Sequence, residues 1–405
     1  MTLVRRLFLI NTGWTLALYL ASSFVGAWFW QIGTGMRPIV LFYAILFSVM
    51  VVAFAVSSRV RLPLSSAALL TLGILLNACY LFLLFLLKTA SRHLVVLLAV
   101  LDGAAGSFYW LSLFVLAASW VPPQQVTWYN SWTGTLEAIL GLAAPVLSGL
   151  VIRSFRGLAG YRVIFLTAFL ALVAAAALAW VRTPQEARGR RLTPGPPLYA
   201  FSIPGWRRLL WSFLLLGLRD GVYFFVPGLM VYIVTHNALW LGVYNAVTAG
   251  VQGLGFWILT RSAAQRRTTA GLRVATGLAL VGLVLWMVPL SAWTLMGLGV
   301  LISLSYPPFK VRLESAALIA ISQHSRSEDD RARLTSVKEV WINVGRLASL
   351  CFFLLVLGLA PGPVPLLWIR DVLGGWALIA LMLYAVLRGL VMPHEVAERL
   401  SMDGH

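Results

Sequence analysis

Long apolar stretches, each near the length of a membrane-crossing helix, recur along the whole chain with short polar or basic loops between them. A helix rises about 1.5 Å per residue, so about 20 apolar residues cross a hydrocarbon core of about 30 Å. On that measure twelve spans are expected, at roughly 7–30, 38–57, 64–87, 94–120, 131–152, 162–181, 208–234, 238–260, 272–290, 292–321, 335–360 and 365–391. The runs are continuous rather than alternating, which argues against a transmembrane β-barrel. Short loops make successive helices antiparallel neighbours. One connector differs: 182–207, rich in Pro, Gly and Arg, reads as a linker between two six-helix halves. The predicted layout is therefore 1–181, a bundle; 182–207, a cytoplasmic linker; 208–391, a second bundle; and 392–405, a cytoplasmic tail.

Composition sharpens this picture. The chain has 405 residues, 60% of them hydrophobic and 11% charged, with mean hydropathy +0.88. That is a polytopic all-α membrane protein. The basic start followed by small residues imitates a secretory leader, but the apolar run continues to Trp30, so it is expected to remain as the first helix. The net charge of +18 suggests nucleic acid until its placement is considered. Most Lys and Arg lie in loops, a pattern that orients helices and meets anionic lipid head groups. With the N-terminus inside, the inner segments hold 19 of the 31 Lys and Arg and the outer segments 6. Both termini are thus expected in the cytoplasm, in a cytoplasmic (inner or plasma) membrane. Cys79 and Cys351 fall in separate apolar runs and read as packing residues. Trp28, Trp30, Trp120, Trp128, Trp132, Trp180 and Trp206 sit at span ends as an interfacial belt is expected to.

Charges inside the spans change the picture most. Arg219 and Asp220 lie mid-run in span seven, roughly 18 Å along the helix. Asp102 lies roughly 14 Å into span four, Glu137 roughly 12 Å into span five and Arg346 roughly 16 Å into span eleven. A charge at such depth costs several kcal/mol unless it faces a partner or water, so these five read as a shared central site. Helix-to-helix ion pairs are the structural alternative. Arg219 and Arg346 suit an anionic group; Asp102, Asp220 and Glu137 are the candidates for proton coupling. Tyr109, Trp110 and Asn11 offer deep stacking and polar groups to a solute, or simply pack. In span ten, Pro307 and Pro308 remove two backbone donors. Either the helix hinges there and presents Lys310, Arg312 and Glu314 to the cavity, or it ends early at the surface. Glycines such as Gly103, Gly149 and Gly255 let helices approach closely.

Three stretches carry a resemblance. Gly160-Tyr161-Arg162-Val163-Ile164-Phe165, entering span six, looks like a Gly-Trp-Arg-x-x-Phe element of the major facilitator superfamily. The six-plus-six plan with a basic central linker resembles that superfamily too. Its signature between spans two and three, Gly-x-x-x-Asp-Arg-x-Gly-Arg-Arg, is reduced here to basic residues such as Arg59, without the Asp or either Gly. LRDGVYFFVPGLMVY and LTSVKEVWINVGRLASL look like a bacterial YqgE-like branch. The resemblance implies that spans one, four, seven and ten line a cavity, two, five, eight and eleven flank it, and the rest lie outside. It also implies a gating role for Arg59, beside the hinge expected at Pro307 and Pro308, and a monomer.

No nucleotide-binding P-loop and no His-Glu-x-x-His pair occur, so ATP hydrolysis and metal catalysis lack support. No cofactor or metal is expected. The reading is a secondary active transporter that uses alternating access, with proton coupling as the default, to move a small amphipathic or anionic solute. The alternatives are a lipid flippase or drug exporter of the same fold, or a membrane scaffold or receptor that moves nothing. Its expected partners are a small-molecule or lipid substrate and membrane lipids, not nucleic acid.

Overall fold

A computed structural model describes residues 2–59, 64–180, 205–261, 268–285, 288–324, 328–359 and 378–388, with 369, 373 and 374. All regular structure among them is helical. In chain order the helices are α1 Leu3–Ala17, α2 Ser23–Gln31, α3 Met36–Arg59, α4 Ser66–Leu87, α5 Val95–Trp120, α6 Val126–Ser154 and α7 Ala159–Trp180. After the linker come α8 Trp206–Tyr223, α9 Val226–Thr235, α10 Ala238–Arg261, α11 Thr268–Leu285, α12 Ala292–His324, α13 Glu328–Leu359 and α14 Ile379–Leu387. Nine stretches among the described residues are long and apolar enough to cross a membrane. The linker up to residue 204, the tail, and Arg370 with Asp371 lie outside the described residues, as does the side chain of Arg59.

The packing has a definite order. Eight helices touch in a closed cycle: α1, α6, α10, α12, α8, α13, α3, α5 and back to α1. Outside it, α4 packs on α5 and α7, α7 on α1, α11 on α12, and α14 on α8 and α11. Contacts in the first half recur in the second at equivalent helices; α3 with α5 answers to α10 with α12. Across the halves, α3 with α13 answers to α6 with α10. A duplicated unit leaves such a pattern.

Two helices of the cycle are irregular at matching places. Between α1 and α2 the chain makes one π turn, Leu18–Ser22. Between α8 and α9 the helix is interrupted at Phe224 and Phe225, and Pro227 stands at the start of α9. Proline cannot donate to the carbonyl one turn back, so an unbroken helix is disfavoured there. The sequence stretches starting Arg5-Arg6 and Arg207-Arg208 superpose these two irregular points to within a few residues.

Several expectations need correction. α12 runs unbroken through Pro307 and Pro308, so span ten neither ends early nor splits there. The rings find room because α10 offers Gly255: a Cβ at Gly255 would lie 2.8 Å from Pro307 Cγ. Trp28, Trp120 and Trp206 are buried rather than interfacial. Trp28 Nε1 donates to Ser91 Oγ at 3.1 Å and its ring meets Phe165 edge-on, which gives both ends of the indole a partner. Cys79 and Cys351 are exposed and free, on faces without a helix to pack against. Gly253 meets nothing within 4 Å, so it is no contact point.

The closest helix approach joins α8 and α13. A methyl group on Gly217 would overlap the Ile342 carbonyl oxygen, and one on Gly345 would overlap the Leu214 carbonyl oxygen. Gly345→Val is therefore expected to lower stability by about 1–3 kcal/mol or more through overpacking. Gly253→Ala should be neutral or slightly stabilising, since its surroundings are empty and alanine favours helix. Thermal unfolding of the two variants in one detergent checks the contrast.

Candidate functional site

Arginines fasten the helix ends around the cycle. Arg6 is buried and donates from Nε and Nη2 to the carbonyls of Leu178 and Ala179 at 2.7 and 2.8 Å. Arg162 Nε donates to the Phe85 carbonyl at 3.3 Å. Arg37 Nη2 donates to the Leu357 carbonyl at 2.6 Å. Each cation meets the unfilled carbonyls of a helix C-terminus, where the helix dipole favours positive charge. Arg37 spans the halves, joining α3 to α13. Nearby, Tyr232 at the end of α9 donates to Gln31 Oε1 at the end of α2, at 2.6 Å. These contacts tie the halves together at the end of the molecule away from the N-terminus. At the N-terminal end Trp128 and Trp132 of α6 and Leu254 and Trp257 of α10 are exposed. Toward the other end, Gly149 of α6 lies against the backbone of Leu239 on α10.

The mid-depth charges fall into separate groups. Arg219 on α8 is buried and reaches onto α12. Its Nη2 donates to the Ile302 carbonyl at 2.9 Å and to Ser305 Oγ at 3.1 Å, and Nη1 lies 3.3 Å from Asp220 Oδ1. Tyr306 donates to Asp220 Oδ2 at 3.4 Å, and its ring stands 5.2 Å from the Arg219 guanidinium. Adjacent helix positions point about 100° apart, yet the long arginine bends back to its neighbour. This group bonds α8 to α12, so Arg219 and Asp220 mainly satisfy each other.

Farther along α12, Lys310 and Glu314 pair at 3.1 Å, and Glu314 also accepts from Lys338 of α13 at 2.9 Å. Lys338 in turn lies 3.2 Å from Glu339. This four-charge chain holds α12 to α13 and settles the placement of Lys310 and Glu314 left open by the sequence. Arg312 is buried as well. Lys338 and Glu339 were not singled out from the sequence, although both stand in LTSVKEVWINVGRLASL; their helical spacing from Arg346 was the available signal.

Arg346 on α13 is different. Its guanidinium stacks over Phe47 of α3 at 5.3 Å, and Nη1 donates to the neutral Asn343 at 3.1 Å. Its buried Nε has no hydrogen-bond partner. A guanidinium has five donors in a planar fork; here one edge is spent on stacking and an amide, and the other faces no carboxylate. Phe47 also meets Phe224 in the α8–α9 interruption, with centroids 6.0 Å apart.

The remaining predicted residues lie in the first half. Asn11 of α1 accepts from Tyr109 of α5 at 2.7 Å, and Tyr109 stacks on Trp14 at 3.8 Å. Both are fully buried, so Asn11 and Tyr109 join α1 to α5. Trp110 packs edge-on to Tyr109. Glu137 on α6 is within electrostatic range of Tyr19, Tyr109 and Tyr129. Asp102 on α5 faces α4, accepting from Asn77 Nδ2 at 2.9 Å. Since α4 lies outside the cycle, Asp102 does not share one site with Arg219, Asp220 and Arg346 as the depth count suggested. Depth along a helix does not fix the direction a side chain takes around it. Among the described residues no three His, Cys, Asp or Glu gather as metal ligands.

No known protein-family model matches the chain. It is 27% identical over 357 residues to the uncharacterised protein YqgE of Bacillus subtilis (strain 168), covering 87% of this chain and 83% of that one. Its fold is similar to that of a bacterial homologue of the iron transporter ferroportin in an inward-facing state, with TM-score 0.68 and 16% identity over 96% and 98% of the two chains. It is also similar to the nucleoside transporter NupG, with TM-score 0.69 and 10% identity over 96% and 100%. At such identities the likeness is one of fold alone.

Proposed function

We propose that the chain is a secondary active transporter of a small anionic or amphipathic solute, working by alternating access in the cytoplasmic membrane. Twelve spans would form two six-helix bundles, 1–181 and 208–391, joined by the linker 182–207, with the tail 392–405 and both termini in the cytoplasm. The observation that carries this reading is the closed cycle of eight helices, in which the first and seventh spans are irregular at one level. Interrupted helices at a repeat interface are where transporters of this kind bend and bind. Hydrogen bonds between the halves at one end and exposed aromatic side chains of α6 and α10 at the other suit a state open toward the N-terminal side, which the basic-loop asymmetry makes the cytoplasm.

The solute's negative group would meet Arg346, which stacks on Phe47 beside the Phe47–Phe224 contact. Arg219, held by Ile302, Ser305 and Asp220, instead keeps α8 on α12. The aromatic neighbours supply an apolar wall for the rest of the solute. With no ATP-binding motif in the sequence, the driving force would be an ion gradient or the solute's own.

A thermal-shift screen of the purified protein against carboxylates, phosphates, lipids and cationic drugs tests the reading. A ligand at a hundred times its Kd stabilises the native state by about 2.7 kcal/mol. Anionic hits should enter proteoliposomes, and the flux should stop when the imposed gradient is removed. Stabilisation by cationic drugs alone, or by nothing with no flux, would overturn it; labelled lipid moving between leaflets would favour a flippase.

A further inference from the structure

Among the described residues Asp102 and Glu137 are the deep carboxylates without a cationic partner, and Asp102 is the one hydrogen-bonded to a neighbouring helix. Asn77 and Tyr80 stand near it from α4 and Tyr43 from α3, and none of these carries a positive charge. Tyr80 is buried and its hydroxyl has no hydrogen-bond partner. A bare carboxylate at this depth is costly, so something must neutralise it. The amide of Asn77 turns its NH2 toward the carboxylate, which leaves a donor where a metal ion would need an oxygen. A proton on the second oxygen meets no such conflict.

Tyr43 connects this place to the seventh span. Its ring stacks on Phe225 at 4.1 Å and meets Phe224 edge-on at 5.8 Å. Phe47, one turn further along α3, meets Phe224 on one side and carries Arg346 on the other. The interruption between α8 and α9 therefore sits between the uncompensated carboxylate and the uncompensated guanidinium.

We infer that Asp102 is the proton-binding site of the transporter, lying behind the helices of the solute path and acting on the α8–α9 interruption through Tyr43 and Phe225. The inference rests on the transport reading for its purpose but not for its test. Binding or losing a proton alters the polarity beside Tyr43 and so biases which way the interruption packs. An ion shifts such an equilibrium only by its differential affinity for the two arrangements.

The test is infrared spectroscopy of the full chain in lipid nanodiscs over a pH series, which needs no solute. A carbonyl stretch from a protonated carboxylic acid should be present at low pH and vanish as pH rises. Its Asp102 component, read as the difference between parent and variant, should be lost in Asp102→Asn, displaced in Asp102→Glu, and retained in Asp220→Asn and Glu137→Gln. A second readout is the labelling rate of Phe224→Cys at one fixed pH, with Cys79 and Cys351 changed to Ser. Asp102→Asn should change that rate about threefold or more, and adding Tyr43→Ala should abolish the change. A band unchanged by Asp102→Asn, or displaced by sodium at constant pH, overturns the proton site. A labelling rate indifferent to Asp102→Asn overturns the link to the seventh span. Flux can fail while the band persists, so the two readings fail separately.

Discussion

Arg346→Gln is expected to weaken binding of an anionic solute by about thirtyfold or more, because truncating one partner of a buried charge contact costs about 2–5 kcal/mol. The protein itself should barely notice. Arg346 gives one hydrogen bond to Asn343 and stacks on Phe47, so its removal strands no carboxylate. Arg346→Lys should restore only part of the affinity, since an ammonium keeps the charge but has neither the planar fork nor the flat face. Binding by thermal shift, and uptake into proteoliposomes, measure the loss. The idea is lost if both variants bind the solute as tightly as the parent, or if the variants lose binding only because they have unfolded.

Arg219→Ala should do the reverse. Removing one partner of a buried pair costs about 3–5 kcal/mol, since the other charge is left alone. Arg219 and Asp220 have side chains only 5% and 13% exposed. Ser305 Oγ would also lose its donor, while the Ile302 carbonyl would keep the hydrogen bond from Ser305 Oγ. Asp220→Asn alone should be milder, because Arg219 keeps its two contacts on α12. The double change to Ala and Asn should recover part of the single loss, a coupling readable from a double-mutant cycle of unfolding temperatures. If Arg219→Ala leaves stability intact but abolishes binding, Arg219 belongs to the solute site and the two arginines exchange roles.

Nine of the expected spans, among the described residues, and the presence of charges within them were legible in the sequence, because long apolar runs and isolated ionisable residues are one-dimensional signals. The unbroken α12 was not: Pro307 and Pro308 predicted disruption, and the answer lay in Gly255 on another helix. The interruption at Phe224 was partly legible through Pro227, whereas the π turn Leu18–Ser22 contains neither Gly nor Pro to announce it. The direction Asp102 takes around its helix was not legible, for Asn77 lies 25 positions away in the chain. Lys338 and Glu339 escaped notice because a mixed pair near a helix start looks solvated until Glu314 is seen beside it.

The ties between the halves at the end away from the N-terminus consist of an arginine on a main-chain oxygen and a phenol on a carboxamide. Neither of these two ties contains an acid or an imidazole, so protons in the compartment beyond have no group within them to titrate. Breaking that latch must be prompted from deeper in the protein. Acidifying the far compartment alone should leave it shut.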